Sequence, residues 1–412
     1  MIHSSYYRPR VYPVNNGIDS AEIDRLQELT GSATLNRTKI EEIGRDGTVC
    51  WRKVTPTVSL SLRQLEYGSL EFWQKLANKE TTVTKIEMTD FKTPMVNIAG
   101  YKTDDDGDFL GTIWYPKCRT SAVGMTIGDP DAVIERAFTL IGEDQIDLQA
   151  GNKYLIQLER VIASGESGAI NIVIGGGSYT NWPDPAEDPD NSGNYMLRCV
   201  KYEPGAGIDA NNELIEGVDY TYDNGTKTIG LINTVAGEVY TFMYSAATYI
   251  TGEEPFVDND SDLCGLIADT ASIYLQTSDY VYRLQSVSID VSFDRFDVKE
   301  IGNQEIVQRG IRDTTVRITL GRILEDYTIE EILRGVGGLD YGKIDIREMR
   351  DDITLVVKLY TDNKKDTFAI GYKFTNLTPS GIDAGAPLND YVTRGVTLEG
   401  EEGFVTDDEN EL

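Results

Sequence analysis

Histidine is nearly absent from this chain of 412 residues; there is one, His3. Its scarcity removes histidine general bases, histidine-centred triads and histidine metal clusters from the range of functions. Cysteine is almost as rare. Cys50, Cys118, Cys199 and Cys264 stand far apart with no CxxC pair, so neither a zinc site nor a disulfide framework is indicated and free thiols are expected. Positive charge is also short: 38 Lys and Arg against 68 Asp and Glu leave a formal charge of −30. Such a chain does not grip phosphate backbones, because that grip needs clustered cations that displace counterions. Long apolar runs are missing as well. No stretch approaches the roughly 18 apolar residues of a membrane span, and Met1 to Arg10 carry no apolar signal core, so a protein made in a cytoplasm with no membrane partner is expected.

Carboxylates abound, yet their spacing singles out no acid pair for hydrolysis. Asp104-Asp105-Asp106-Gly107-Asp108 fails the calcium-loop pattern, since a glycine at 107 would put Lys102 at the first ligand position. The matching turn later in the chain, Asp362 to Asp366, replaces two acids by Lys364 and Lys365. Gly175-Gly176-Gly177 lacks the Lys-Ser/Thr ending of a phosphate loop and reads as a turn. No enzyme, cofactor or metal is expected from this inventory.

What the chain does contain is the same unit twice. Arg25-Leu26-Gln27 recurs as Arg283-Leu284-Gln285 (283 − 25 = 258). At that one offset Glu42-Ile43-Gly44 returns as Glu300-Ile301-Gly302, Thr57-Val58 as Thr315-Val316, Lys85-Ile86 as Lys343-Ile344, and Arg136 with Thr139-Leu140 as Arg394 with Thr397-Leu398. A gapless register this long points to duplication of a whole domain, not to a solenoid of short units. The residues between, about 147 to 280, have no counterpart and read as a third domain.

Alternation assigns strands. Val287, Ile289, Val291 and Phe293 share one side and Ser288, Asp290, Ser292 and Asp294 the other, with a bulge expected near Asp294-Arg295. Val316, Ile318 and Leu320 alternate with Arg317 and Thr319 after a turn at Gly302-Asn303-Gln304. In the first copy Ala33 and Leu35 stand against Ser32, Thr34 and Asn36, and Val58, Leu60 and Leu62 against Ser59 and Ser61. One short helix per copy is expected, over Leu65 to Asn78 and over Ile323 to Gly335. Hairpin strands follow near Met95–Tyr101 and Leu110–Tyr115, and closing strands at Ile134–Ile141 and Val392–Glu399. The insert shows strands at Leu155–Ile162, Ala169–Ile174, Tyr195–Tyr202 and Glu238–Tyr244, an Asn224-Gly225 hairpin, and an acidic, proline-rich Trp182–Asp190 loop suited to solvent. The fold class is therefore mainly β: two duplicated sandwich or half-barrel domains, each with one helix, plus a β-rich insert.

The order in each copy resembles the tail tube, or major tail, proteins of bacteriophages, in the type with two tube domains per chain. The residues that carry the resemblance are the hairpin ending Thr57-Val58-Ser59-Leu60-Ser61-Leu62, the Trp73-bearing helix, the next hairpin, and Glu135-Arg136-Ala137-Phe138-Thr139-Leu140-Ile141-Gly142. It covers both repeats. In one respect the chain departs from that family, whose members often append an immunoglobulin-like domain at the C-terminus, whereas here the extra domain lies between the copies.

The resemblance implies a virion structural protein that polymerises into stacked rings around a DNA channel. It also implies a division into an arm (1–24), tube domain copy 1 (25–146), an outer insert (147–280), copy 2 (281–405) and an acidic tail (406–412). Three chains with two domains each would give a pseudo-hexameric ring. The expected partners are further copies of the chain and other tail proteins: tape measure, baseplate or tip, and terminator. Viral duplex DNA would pass without specific binding. The lumen-lining residues implied are Thr30, Ser32, Thr34, Asn36, Ser59, Ser61, Glu135, Thr139, Ser288, Asp290, Ser292, Asp294, Arg317, Thr319, Thr393 and Thr397. Two other readings stay open: a non-assembling adhesion or ligand-binding protein of stacked β-domains, and a polysaccharide-cleaving enzyme with accessory β-domains.

Overall fold

The computed structural model describes residues 6–14, 20–35, 37–41, 48–53, 56–103, 109–129, 131–149, 153–187, 195, 197–202, 211–250, 265–276, 279–281, 284–298, 308–323, 328–334, 346–385 and 393–412. Asn36, the Asp104–Asp108 turn, the Gly302–Gln304 turn, Gly335, Cys264 and the Asp188–Asp190 end of the acidic loop lie outside the described residues, as does the Cys50 side chain. The chain is mainly β, with a few short helices.

Eight strands form one antiparallel ladder. In chain order they are β1 (Leu26–Thr34), β2 (Thr57–Leu65), β3 (Phe109–Ile127), β4 (Glu135–Gly142), β5 (Leu284–Val298), β6 (Gln308–Ile323), β7 (Phe368–Gly385) and β8 (Thr393–Gly400). In space they run β1-β2-β4-β3-β5-β6-β8-β7. The first copy thus supplies four neighbouring strands, the second supplies four, and β3 against β5 joins them.

Pairing registers repeat with the sequence. Leu29 lies opposite Leu62 and Leu60 opposite Leu140; 258 residues on, Val287 lies opposite Leu320 and Ile318 opposite Leu398. The irregularities repeat too. A bulge on β3 opposite Thr139 and Leu140 leaves Ser121 as the extra residue, and one on β7 opposite Thr397 and Leu398 leaves Ser380. The irregularity expected near Asp294-Arg295 is present as a register shift, but the extra residue is Arg312 on the facing strand β6.

β3 and β7 are long because each serves two sheets. Both bend at a left-handed residue, Lys117 (φ 50) in β3 and Asn376 (φ 54) in β7. Before its bend β3 pairs with Val96–Thr103 and Ile146–Leu148, and Val96–Thr103 in turn pairs with Tyr6–Pro13. The second copy repeats this with Ile353–Tyr360, Glu402–Thr406 and Ala271–Leu275 around β7. Residues read from sequence as part of an arm therefore hold a strand, as do residues 271–275 from the end of the insert. This strand escaped the gapless comparison because Val11 opposite Ile98 corresponds to Leu275 opposite Leu355, a different offset (275 − 11 = 264).

Apolar residues of the ladder pack against these second sheets and the helices in one core containing Val11, Val58, Leu60, Leu62, Ile98 and Leu140. Helix α1 (Glu71–Leu76) adds Phe72 and Trp73, whose rings meet Phe138 edge-on at 4.8 and 5.0 Å. Helix α2 (Thr328–Arg334) adds Ile329 and Leu333. Both are shorter than the sequence suggested. Leu65 is still strand, Gly68 turns with φ +82, and Asn78 ends the helical region at φ 50. Ile323 likewise is still the last residue of β6.

The insert is a two-sheet sandwich. Tyr154–Val161, Val239–Ala246, Leu197–Tyr202 and Asn211–Leu214 form one sheet, and Gly168–Val173, Thr228–Thr234 and Tyr220–Asp223 the other. Leu158, Ile172, Ile229 and Phe242 lie in the core they share. Its Cys199 is a buried free thiol whose pKa burial pushes well up; Cys118 of the first copy is also buried and free. Leu155 and Met243 of the insert pack on Tyr12, Ala99, Tyr101 and Trp114, the outer face of the first copy's second sheet. The layers are therefore insert, second sheet, core and ladder, leaving the far face of the ladder uncovered by the insert.

Candidate assembly surface

The uncovered face of the ladder can be read strand by strand from its pairing, because directly opposed residues share a face. One row runs Thr30, Ser61, Thr139, Ala122, Ser292, Thr315. The next runs Glu28, Arg63, Ala137, Gly124, Asp290, Arg317, Glu399, Thr378. A third runs Leu65, Glu135, Thr126, Ser288, Thr319, Thr397, Gly381. Ser32, Thr34, Ser59, Asp294 and Thr393 fall on the same face by the period of two. The structure thus brings every described residue named for the lumen onto one face of one sheet. They are partly or fully exposed, except Thr397, which is buried beside the bulge.

The same alternation, carried further along the strands, would have found the residues that sequence reading left out. Arg63 lies between Glu28 at 3.3 Å and Glu135 at 3.6 Å, and Arg317 lies 3.8 Å from Glu399. These exposed pairs are worth about 0–1 kcal/mol each, but they neutralise both cations of the middle row. Asp294 faces Asp313 across β5 and β6. The surface is small, polar and acidic. Among the described residues no cluster of His, Cys, Asp or Glu could hold a metal, and no helix is long and apolar enough to cross a membrane.

Behind this face each copy places an arginine at the same repeat position, Arg136 fully buried and Arg394 partly buried. Arg136 donates from Nε to Gln64 Oε1 at 2.8 Å and from Nη1 to Glu66 Oε2 at 3.2 Å. Burial is the strongest single influence and works against its charge, but Glu66, Tyr372 and Tyr67 together outweigh it, and the Arg136 pKa lies above its ordinary value. Arg394 meets Glu330 of α2 at 2.8 Å, and Arg322 also pairs with Glu330. Glu330 thus ties α2 to β6 and β8, and Arg136 ties β4 to the turn that precedes α1.

Among the described residues the ladder has two free edges, β1 and the second half of β7, and one internal joint of the same kind, β3 against β5. At the joint, Val287, Ile289, Val291 and Phe293 are all buried. Phe293 packs against Phe91, with ring centroids 6.1 Å apart. Arg295 donates to the carbonyl oxygens of Thr120 at 2.6 Å, Phe91 at 2.8 Å and Lys92 at 3.2 Å. The repeat equivalents on β1 and just beyond it are Leu29, Gly31, Ala33 and Leu35. Leu29 is half-buried and the others exposed, Leu35 to 72%. The apolar side that sequence assigned to Ala33 and Leu35 is thus uncovered among the described residues, where β1 is the edge of the ladder.

No protein-family model matches the chain, and no curated protein matches it. Solved structures give weak likenesses. One is to the tube-terminating cap of the anti-feeding prophage, with 13% identity over 39% of this chain and 99% of that one, at a TM-score of 0.28. Another is to a chain of the anti-feeding prophage baseplate, with 20% identity over 35% of this chain and 94% of that one, at 0.25. A third is to the Dit protein of phage SPP1, described as a paradigm of hub adsorption apparatus in phages infecting Gram-positive hosts, with 10% identity over 58% of this chain and 99% of that one, at 0.20. At such scores these likenesses establish neither fold nor function.

Proposed function

We propose that this chain is a structural virion protein of a phage tail that closes into rings and stacks into a tube around a DNA channel. The observation that carries the reading is the contrast between joint and edge. One set of repeat positions is buried where copy meets copy inside the chain, and its counterpart is exposed on β1, which pairs with no further strand among the described residues. An open sheet with an apolar edge invites pairing with another chain, and closing the ladder into a ring removes both edges. A closed ring needs like interfaces, and two copies per chain let three chains present six. The wall would then hold the uncovered polar face inward and the insert outward, since they lie on opposite sides of the core. The two tube units would include the Tyr6–Pro13 and Ala271–Leu275 strands.

An acidic, cation-poor lumen repels phosphates, so a duplex passes without adhering. Self-association, contacts to tape measure, baseplate or tip and terminator proteins, and residence in the virion follow from the same reading. Native mass spectrometry of the purified protein tests it. Trimers and multiples of trimers support it, and a monomer that persists at high concentration and under crowding contradicts it.

A further inference from the structure

We infer that chains join through β7 of one and β1 of the next in a fixed register, clamped by Arg37, with the internal β3–β5 joint as the template. The inference rests on the ring reading above and supplies its interface. At the template joint Ser288 lies opposite Thr126, Asp290 opposite Gly124 and Ser292 opposite Ala122. Repeat equivalents on β1 are Thr30, Ser32 and Thr34. Equivalents on β7 follow from neighbouring strands: Thr126, Gly124 and Ala122 pair with Glu135, Ala137 and Thr139 of β4, while Gly385, Asp383 and Gly381 pair with Thr393, Gly395 and Thr397 of β8. The inter-chain register is therefore Thr30 with Gly385, Ser32 with Asp383 and Thr34 with Gly381. Each row sets a small residue against its partner, as Asp290 is set against Gly124.

Beyond the strand, the template is locked by Arg295 on three carbonyls and by Phe293 on Phe91. The repeat equivalent of Arg295 is Arg37, which is exposed at the start of the Arg37–Glu41 strand. The short helix Met88–Phe91 corresponds to Ile346–Glu348, so Phe91 and Lys92 correspond to Met349 and Arg350, and Thr120 corresponds to Pro379 by pairing. Arg37 would donate to the carbonyl oxygens of Met349, Arg350 and Pro379 of the neighbouring chain. Leu35 would take the place of Phe293 against the half-buried Met349. The Arg350 side chain does not compete, because it holds Asp352 through two 2.8 Å contacts.

The test is oxidative cross-linking of the full chain carrying S32C and D383C. Opposed residues of antiparallel strands have Cα atoms about 4.5–5.5 Å apart, within disulfide range. A ladder of covalent oligomers is expected for S32C/D383C. It should be absent from the parent and from A33C/D383C, whose thiols would leave opposite faces. Arg37→Ala should cut ring yield at least tenfold while the monomer melts unchanged. Electron microscopy of the parent separates the outcomes. Rings in the parent with no S32C/D383C ladder, or with equal linking in A33C/D383C, overturn the register and leave the ring reading standing. No rings in the parent overturn both. Rings undiminished by Arg37→Ala remove the clamp.

Discussion

Tyr372 of the second copy donates its hydroxyl hydrogen to Glu66 Oε2 of the first at 2.5 Å, in a fully buried setting. Glu66 also receives Arg136, so a phenol, a carboxylate and a guanidinium tie the copies together behind the ladder. Burial, and then Glu66, raises the Tyr372 pKa well above its ordinary value of 10.0. The group therefore contributes stability in full below pH 10, and that contribution is lost as pH rises further toward the folded-state value. Tyr372→Phe should cost about 1–2 kcal/mol at neutral pH, the price of one buried hydrogen bond, and should flatten the alkaline limb of a denaturation profile. An unchanged alkaline limb would show that Tyr372 does not carry it.

Arg136 offers a harsher test. Arg136→Met leaves the Glu66 carboxylate buried without its cation, which typically costs about 3–5 kcal/mol. Combining it with Glu66→Gln should recover a large part of that loss in urea melts. Strictly additive costs would mean that the pair does not act as a unit.

The residues proposed to line the channel should be replaceable without harm to the fold. In a chain carrying Asp290→Lys and Asp294→Lys, one lysine faces Arg317 and the other faces Asp313, so the cross-strand effects oppose each other. A net change within about 0.5 kcal/mol is expected at these exposed positions. DNA passage should suffer instead. Fluorescence-monitored ejection should slow at low salt and recover at higher salt; equal kinetics at all ionic strengths would remove these positions from the path.

Excision of the insert sandwich, residues 153–246, should leave the ladder able to assemble but uncover Tyr101 and Trp114, which are buried against it. The excised chain should form rings that bind more of an apolar dye than the parent. Loss of rings in a chain that still melts cooperatively would place the insert in the assembly interface.

Much of the ladder was legible because alternation marks a face directly. Ser288 to Asp294, and Ser59 with Ser61, were read from the period of two alone, Glu135 with Thr139 through the resemblance, and all lie together. The irregularity at Asp294-Arg295 was expected from a change of apolar phase, but its extra residue is Arg312 on β6, and Phe296 stays exposed on β5. What escaped reading depends on distant partners. Tyr6–Pro13 becomes a strand because Val96–Thr103 lies beside it. The bends at Lys117 and Asn376 let one strand serve two sheets, which no local pattern announces. The helices were overextended because Leu65 and Ile323 fit a helical stripe equally well, and strand pairing claims both. Whether Leu35 is covered is a property of the neighbour, so composition could not reveal that β1 is an edge.

The most direct measurement is a cryo-EM reconstruction of the assembled protein. The account predicts three chains per ring, a continuous wall in which β1 of each chain pairs with β7 of the next, Ser61, Asp290 and Thr319 facing the lumen, and the insert outside. Six chains per ring, or a wall with that polar face turned outward, would contradict it.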